Sequence, residues 1–421
     1  MAAVAGCLWW NPGRQLGPGA FAGAGPLFGE WPILGTFDPH IGPGSLLSAL
    51  VGVAVIAYGP VLAHRLTWRA ALVAAYGAAV AWTLALALID GWQVGIAGRL
   101  TTSAEYLHEV PGITDIGAML HSFTRRILDY QPDSWTTHVA GHPPGATLEF
   151  VWLDRIGLGG GSAAGIVCIL IGALSAVAVP ATISALGQED LARAGLPFLV
   201  LFPGAVWMGV SADAVFTGVT ASGIALLAFG ATGRLAWCLP AGVLLGFGIF
   251  LSYGLVLMGT VALAVVLLVR NARALSLTVL GALAVVAVFA AAGFWWPDGY
   301  HNVVERYYQG IATRRPYGYW VWADLACLAL ATGPVAGPAL RRALPSARPR
   351  GMGVLVAGAL VAVLAADVSG LSKAEVERIW LPFAVWLVAA AALLPRQSHR
   401  WWLAAQVATA LLVNHLILTN W

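Results

Sequence analysis

The chain has 421 residues, 59% of them hydrophobic and only 10% charged, with a formal net charge of +3. Apolar runs of about 18 or more residues recur along it, each long enough to cross roughly 30 Å of hydrocarbon, which excludes a soluble globule. The period-two alternation of a membrane barrel is missing, and the small net charge gives no reason to expect a nucleic-acid partner. Backbone polar groups in lipid must be satisfied within their own segment. The expected fold is therefore all-α, a single polytopic transmembrane domain over residues 1–421.

Residues 1–43 come first. "MAAVAGCLWWNPGRQ" has no basic start and no apolar stretch long enough for a cleavable signal, and the expectation is that one N-terminal span is missing ahead of it. About 12 spans follow, read near 44–63, 70–89, 162–185, 195–210, 212–230, 235–252, 254–269, 275–296, 318–333, 352–366, 380–394 and 401–418. Alternate short loops carry Arg65, Arg69, Arg193, Arg234, Arg270, Arg273, Arg341, Arg342, Arg348, Arg350, Arg396 and Arg400, with Glu189 and Asp190 as their only acids. The positive-inside rule makes those loops cytoplasmic and sends the remaining acids to the other face. A cell-membrane protein with its chemistry on the extracytoplasmic side is expected.

The second span ends "ALALIDGWQVG", so Asp90 is the first charge after an apolar run. A carboxylate at a helix C-terminus opposes the helix dipole and needs something to offset it. An ordinary boundary residue is one reading; a general base at a cavity mouth is the other.

Residues 90–161 form a large outer loop. Within it Thr114 or Asp115 can cap a helix, after which Ile116, Met119, Leu120, Phe123 and Ile127 share one face. That pattern reads as a helix lying in the membrane interface. The segment "DYQPDSWTTHVAGHPPGATLEFVWLDR" at 129–155 gathers His138, His142, Glu149, Asp154 and Arg155 around Pro143-Pro144-Gly145. Prolines stop helices and fix chain direction, so His142 is placed on a stiff turn between two interfacial helices.

Farther along, Asp213 lies in a tight outer turn, where it either caps the next helix or touches a substrate. "WWPDGYHNVVERYYQGIATRRPYGYWVWADL" puts Arg314 and Arg315 on the outer side, against the positive-inside bias, among belt aromatics. In "DVSGLSKAEVERIWLPF" Ser372 and Glu375 have capping-box spacing, Lys373 and Glu377 are four apart, and Arg378 lies one turn inside, where it needs a carboxylate or phosphate partner. A helix start carrying Lys and Arg is a good phosphate site. The four cysteines, Cys7, Cys168, Cys238 and Cys327, have no metal or redox spacing and read as small core residues. His64, His399 and His415 fall near span ends.

These pieces together resemble the GT-C superfamily of integral membrane glycosyltransferases, which use polyprenyl-phosphate sugars. The resemblance rests on the many spans, the large outer loop, the acid that opens it, "GHPPG" late in the loop, and "RRPYGYWVWADLA" and "SKAEVERIWLPF", which look like actinobacterial members. It implies that Asp90 is the general base that activates an acceptor hydroxyl of a glycan or lipid, with inversion at the sugar. It implies donor-phosphate contacts, for which His142, Arg314, Arg315, Lys373 and Arg378 are the candidates; Glu105 is a candidate second acid, and Glu105, Tyr106, His138, Asp213 and Glu377 are candidate acceptor or supporting residues. Many members carry a second acid beside the first; here Gly91-Trp92 follows Asp90. That departure leaves a divalent cation as a candidate cofactor without a clear ligand set, and no metal residue is assigned. The rival reading from another class is a transporter or flippase. Such proteins usually place ionisable residues near mid-membrane and repeat their halves, whereas the span centres here are nearly free of charge.

Overall fold

The protein is described by a computed structural model covering residue 33, residues 35–344 and residues 350–419. The expected missing N-terminal span concerns a region outside these residues. The first two long helices, α1 (Pro43–Arg65) and α2 (Trp68–Ala87), meet at a short turn where the Thr67 hydroxyl accepts from the Ala70 N–H at 3.4 Å. The long 90–161 loop folds as four short helices, α3 (Tyr106–Glu109), α4 (Ile116–Ser122), α5 (Thr137–Gly141) and α6 (Pro144–Arg155). Then come α7 (Gly161–Ala173), α8 (Ser175–Ala185), α9 (Glu189–Val200), α10 (Ala205–Met208), α11 (Ala212–Thr232), α12 (Cys238–Leu251), α13 (Gly259–Val269) and α14 (Ala272–Ala291). After α15 (Trp296–Gln309), α16 (Tyr317–Thr332) and α17 (Ala336–Ala343), the chain ends with α18 (Arg350–Ser369), α19 (Val376–Ile379), α20 (Leu381–Ala389) and α21 (His399–Leu416). Two three-residue strands, β1 (Gly35–Phe37) and β2 (Ile417–Thr419), pair antiparallel and tie the two ends of the described chain together.

This is a multi-pass helical membrane protein. Among the described residues six helices are long and apolar enough to cross a membrane, or up to eight if two bent pairs each count as one span. The expectation of about twelve is not reached by that measure, and the reasons are local. Pro203 and Gly204 separate α9 from α10, so residues 195–210 are not one continuous helix. Extended Ser252 ends α12 after 14 residues, and α13 has 11. With the 3-10 turns that lead into them they run Leu235–Leu251 and Tyr253–Val269, each about 26 Å at 1.5 Å per residue and still short of the hydrocarbon thickness. Residues 317–343 and 381–416 bend by 97° and 116° at their breaks.

Enclosure is uneven. The apolar window of α11 is 78% buried, against 17% for α1 and 22% for α14, so α11 is the central helix and the other two face outward. Close approach at its centre needs a small residue: a Cβ on Gly218 would collide with the Ile171 carbonyl of α7. At one end of the bundle Arg193 Nη1 donates to the Ala63 and Leu66 carbonyls at 2.7 and 3.0 Å, and Arg400 Nη2 donates to Ala57 O at 3.1 Å. Three of the arginine-bearing loops meet there.

The 90–161 loop is a structured cap. Asp115 Oδ1 accepts from the Ala118 N–H at 3.0 Å, the expected cap of α4. Its apolar stripe, however, faces protein: Phe123 and Ile127 are fully buried, with Phe123 against Trp135 and Phe294. The loop is pinned to α15 by Arg306 Nη1 and Asp129 Oδ1 at 2.9 Å, by Asn302 Nδ2 donating to Thr124 O, and by the Asp129 N–H donating to Gln309 Oε1 at 2.7 Å.

Candidate functional site

The HPPG turn is where local sequence rules and the site meet. His142 closes α5 in an extended conformation, Pro143 continues extended, and Pro144 opens α6, where its missing N–H costs nothing. Gly145 must be glycine, because a Cβ there would collide with the Phe250 carbonyl at the end of α12. The turn is thereby clamped against the bundle, with His138 and His142 facing a cavity of about 670 Å³. The other walls come from the first half of α11 (Phe216), the 252–257 segment, α15 (Trp296, Tyr300, Arg306, Tyr307), Arg315, and residues 371–375 with Arg378.

One wall is basic. Lys373 Nζ donates to Ala312 O at 2.7 Å and Arg315 O at 2.9 Å, leaving one of its three protons uncommitted to these carbonyls. Arg315 Nη1 donates to Lys373 O at 2.7 Å, and its Nη2 lies 3.4 Å from Glu375 Oε1. The same carboxylate reaches Arg378 through Oε2 at 3.4 Å, so Glu375 bridges two guanidinium groups. Burial, with Arg315 nearby, lowers the Lys373 pKa from its ordinary value.

Arg378 is the centre of the polar network and only 5% exposed. Its Nε lies 3.2 Å from Asp213 Oδ2, its Nη1 3.9 Å from Glu105 Oε1, and its Nη2 donates to His138 Nε2 at 3.2 Å. Burial alone would lower its pKa, but Asp213, Glu375 and Glu105 together hold it above the usual arginine value. Burial pushes Glu105 up to about 7; Arg378 works against that shift, while Asp213 and Glu375 add to it. His138 Nδ1 lies 3.0 Å from Ala104 O and 3.1 Å from Glu105 Oε1. Burial, reinforced by Arg378 and His142, lowers the His138 pKa well below 6.5.

His142 Nδ1 lies 2.8 Å from the His138 carbonyl and 2.9 Å from the Tyr106 hydroxyl. Tyr106 itself is buried against Phe150 and the two imidazoles. Glu149 of α6 has both carboxylate oxygens buried without a hydrogen-bond partner among the described residues, and burial raises its pKa well above 4.5.

The structure thus brings together His138, His142, Arg315, Lys373 and Arg378 at the cavity, with Glu105, Tyr106 and Asp213 directly behind them. Glu377 is fully buried on α19 and does not line it. Arg314 is exposed and points to no cavity wall. Asp90 is elsewhere: Arg99 Nη2 binds its Oδ2 at 2.6 Å and His40 Nε2 its Oδ1 at 2.8 Å, while Arg99 Nη1 donates to Thr419 O beside the β1–β2 pair. Arg99, with His40 as a hydrogen-bond partner, supplies the offset that a carboxylate at a helix end requires, and Asp90 is not among the cavity-lining residues. The Ser372–Glu375 capping box does not form, because Ala374 and Glu375 take left-handed conformations and the Glu375 side chain is spent on Arg315 and Arg378. The Lys373–Glu377 helical pair fails for the same reason, since α19 starts only at Val376.

Sequence reasoning passed over Asp129 and Arg306, which line the cavity as an ion pair, and Asp324, whose Oδ1 accepts from the Ala374 N–H at 3.0 Å and fixes the 371–375 segment. An acid inside the apolar run of α16 was the available signal. Among the described residues no group of three or more His, Cys, Asp or Glu side chains is placed to hold a metal ion, so no step is assigned to one. The chain matches no protein-family model, no curated protein and no solved structure.

Proposed function

We propose that the protein is a membrane glycosyltransferase of the GT-C kind, moving a sugar from a polyprenyl phosphate to an acceptor hydroxyl of an envelope glycan or glycolipid. It acts on the extracytoplasmic face of the cell membrane and inverts the anomeric centre. The observation that supports this most is the pairing of chemistries in one cavity. Arg315, Lys373 and Arg378 stand on one wall, and Leu255, Val256, Ile311, Ile379 and Phe383 supply apolar lining beside them. Val256 and Ile311 are 50% and 40% exposed, so that apolar flank continues to the outer surface of the bundle. A ligand suited to such a site has an anionic head and a hydrocarbon tail, which is what a polyprenyl phosphate offers.

The division of labour follows from the hydrogen bonds. Arg315 and Lys373 hold the phosphate, whose charge grows as the glycosidic bond breaks; donors aimed at developing charge are worth about 2–4 kcal/mol each. Arg378, tied to three carboxylates, keeps the wall in shape.

The test uses purified protein in liposomes and a fluorescent polyprenyl phosphate. Arg315→Ala and Lys373→Ala are each expected to weaken binding by about 10-fold or more. Unchanged affinity in both, or uptake of a solute into vesicles without transfer, would return the transporter to first place.

A further inference from the structure

The residues around His142 fix its protonation state more tightly than sequence could. A backbone carbonyl can only accept, so the 2.8 Å contact from His138 O to Nδ1 requires the proton on Nδ1. Placing the proton on Nε2 instead would set two lone pairs against each other at that distance. Nε2 is then an unprotonated acceptor. No hydrogen bond to Nε2 is formed among the described residues, where both contacts of the ring are made by Nδ1, and the ring lines the same cavity as Arg315, Lys373 and Arg378. A neutral imidazole of this kind makes a poor phosphate clamp and a good proton acceptor.

We infer that His142 Nε2 is the general base that takes the proton of the acceptor hydroxyl, resting on the transferase reading above. In the step, the acceptor O–H proton passes to Nε2 while the acceptor oxygen forms a bond to the anomeric carbon. The bond from that carbon to the phosphate oxygen breaks, its electron pair stays on that oxygen, and polyprenyl phosphate leaves against Arg315 and Lys373. The Nδ1–H···O=C bond to His138 orients the ring and stabilises the imidazolium formed, and Tyr106 supports the same nitrogen at 2.9 Å. The charged or titratable groups around the ring are His138 on α5, Tyr106 on α3, Asp213 on α11, Arg378 on α19 and Glu375 just ahead of it. Asp213 and Glu375 favour the imidazolium, Arg378 opposes it, and burial is the largest influence and lowers the pKa. The resting ring is therefore neutral at pH 7.

The experiment compares wild type, His142→Gln and Glu105→Gln in proteoliposomes, reading transfer from labelled polyprenyl-phosphate sugars against pH and, separately, binding of polyprenyl phosphate. In His142→Gln, transfer should fall by about 100-fold or more while donor binding changes by less than about threefold. Wild-type turnover should drop as pH falls through the lowered histidine pKa, and that acid limb should persist in Glu105→Gln and vanish from the residual rate of His142→Gln. Addition of imidazole to His142→Gly should restore transfer, a readout that separates chemistry from misfolding. Near-normal transfer in His142→Gln overturns the assignment. So does loss of donor binding in step with turnover, which would make His142 a donor contact. Wild type that binds polyprenyl phosphate yet transfers no sugar overturns the transferase reading itself, and the base assignment with it.

Discussion

Arg378 Nη2 lies 3.2 Å from Nε2 of His138, and a guanidinium can only donate. The contact therefore fixes His138 as a neutral imidazole with its proton on Nδ1, directed at Ala104 O and the Glu105 carboxylate. Two residues 240 positions apart in sequence are thus joined in one polar chain, Arg378 to His138 to the Ala104 carbonyl with the Glu105 carboxylate beside it, which ties the 90–161 loop to α19.

Cutting that chain at its cation should unfold the site. Arg378→Ala leaves Asp213, Glu105 and Glu375 without their shared partner in a buried setting, and stability should drop by about 3–5 kcal/mol. Arg378→Ala/Asp213→Asn should lose less than the single variant, because one stranded charge is gone. Thermal unfolding in detergent measures both. Equal melting temperatures for Arg378→Ala and wild type would show that the network carries no stability.

Glu105 makes the fold sensitive to pH. Its folded pKa of about 7 is above the ordinary value of 4.5. The folded state therefore holds the proton more tightly than the unfolded chain does. Its contribution is fully present below pH 4.5 and is lost as pH rises to about 7, a swing on the order of 3 kcal/mol. Glu105→Gln should remove this slope, so the variant's melting temperature should gain on wild type between those pH values. Parallel curves would place the carboxyl in a wetter environment than the structure gives it.

Asp90 is expected to matter for stability and not for chemistry. Asp90→Asn removes the charge that holds Arg99 and His40, with a cost of about 1–3 kcal/mol. It should leave sugar transfer within about threefold of wild type. Transfer abolished at unchanged melting temperature would put the base back at Asp90.

Gly145→Ala tests the clamped turn. The added methyl meets the Phe250 carbonyl, so α6 must shift, at about 1–3 kcal/mol. Gly77→Ala, in the middle of α2 with nothing near its Cβ, should instead gain roughly 0.5–1 kcal/mol. If both variants melted alike, the turn would have room that the packing denies.

Hydropathy made the long helices legible: α1, α2, α7 with α8, and α11 each fall within a few residues of the expected spans. The interruptions were harder. Ser252 breaks the 235–269 region through backbone geometry that apolar composition does not encode. The site was legible in part, since a histidine on a proline turn and an arginine beside an apolar run do converge. What sequence could not supply was distance. Asp90 and Glu105 are 15 positions apart in one loop, yet Asp90 is held by Arg99 at the chain ends and Glu105 by His138 and Arg378 at the cavity. The capping-box spacing at Ser372 and Glu375 was misleading for a related reason: two arginines from different elements compete for that carboxylate and win.

The most direct test supplies purified protein in liposomes with radiolabelled polyprenyl-phosphate sugars and an envelope glycolipid acceptor, comparing wild type with Arg315→Ala/Lys373→Ala. The expected result is inverting transfer by wild type from one of these donors and loss of transfer in the double variant at a similar melting temperature. Equal transfer by both proteins, or no transfer from any donor alongside uptake of label into the vesicles, would contradict the assignment of this cavity to a lipid-phosphate sugar.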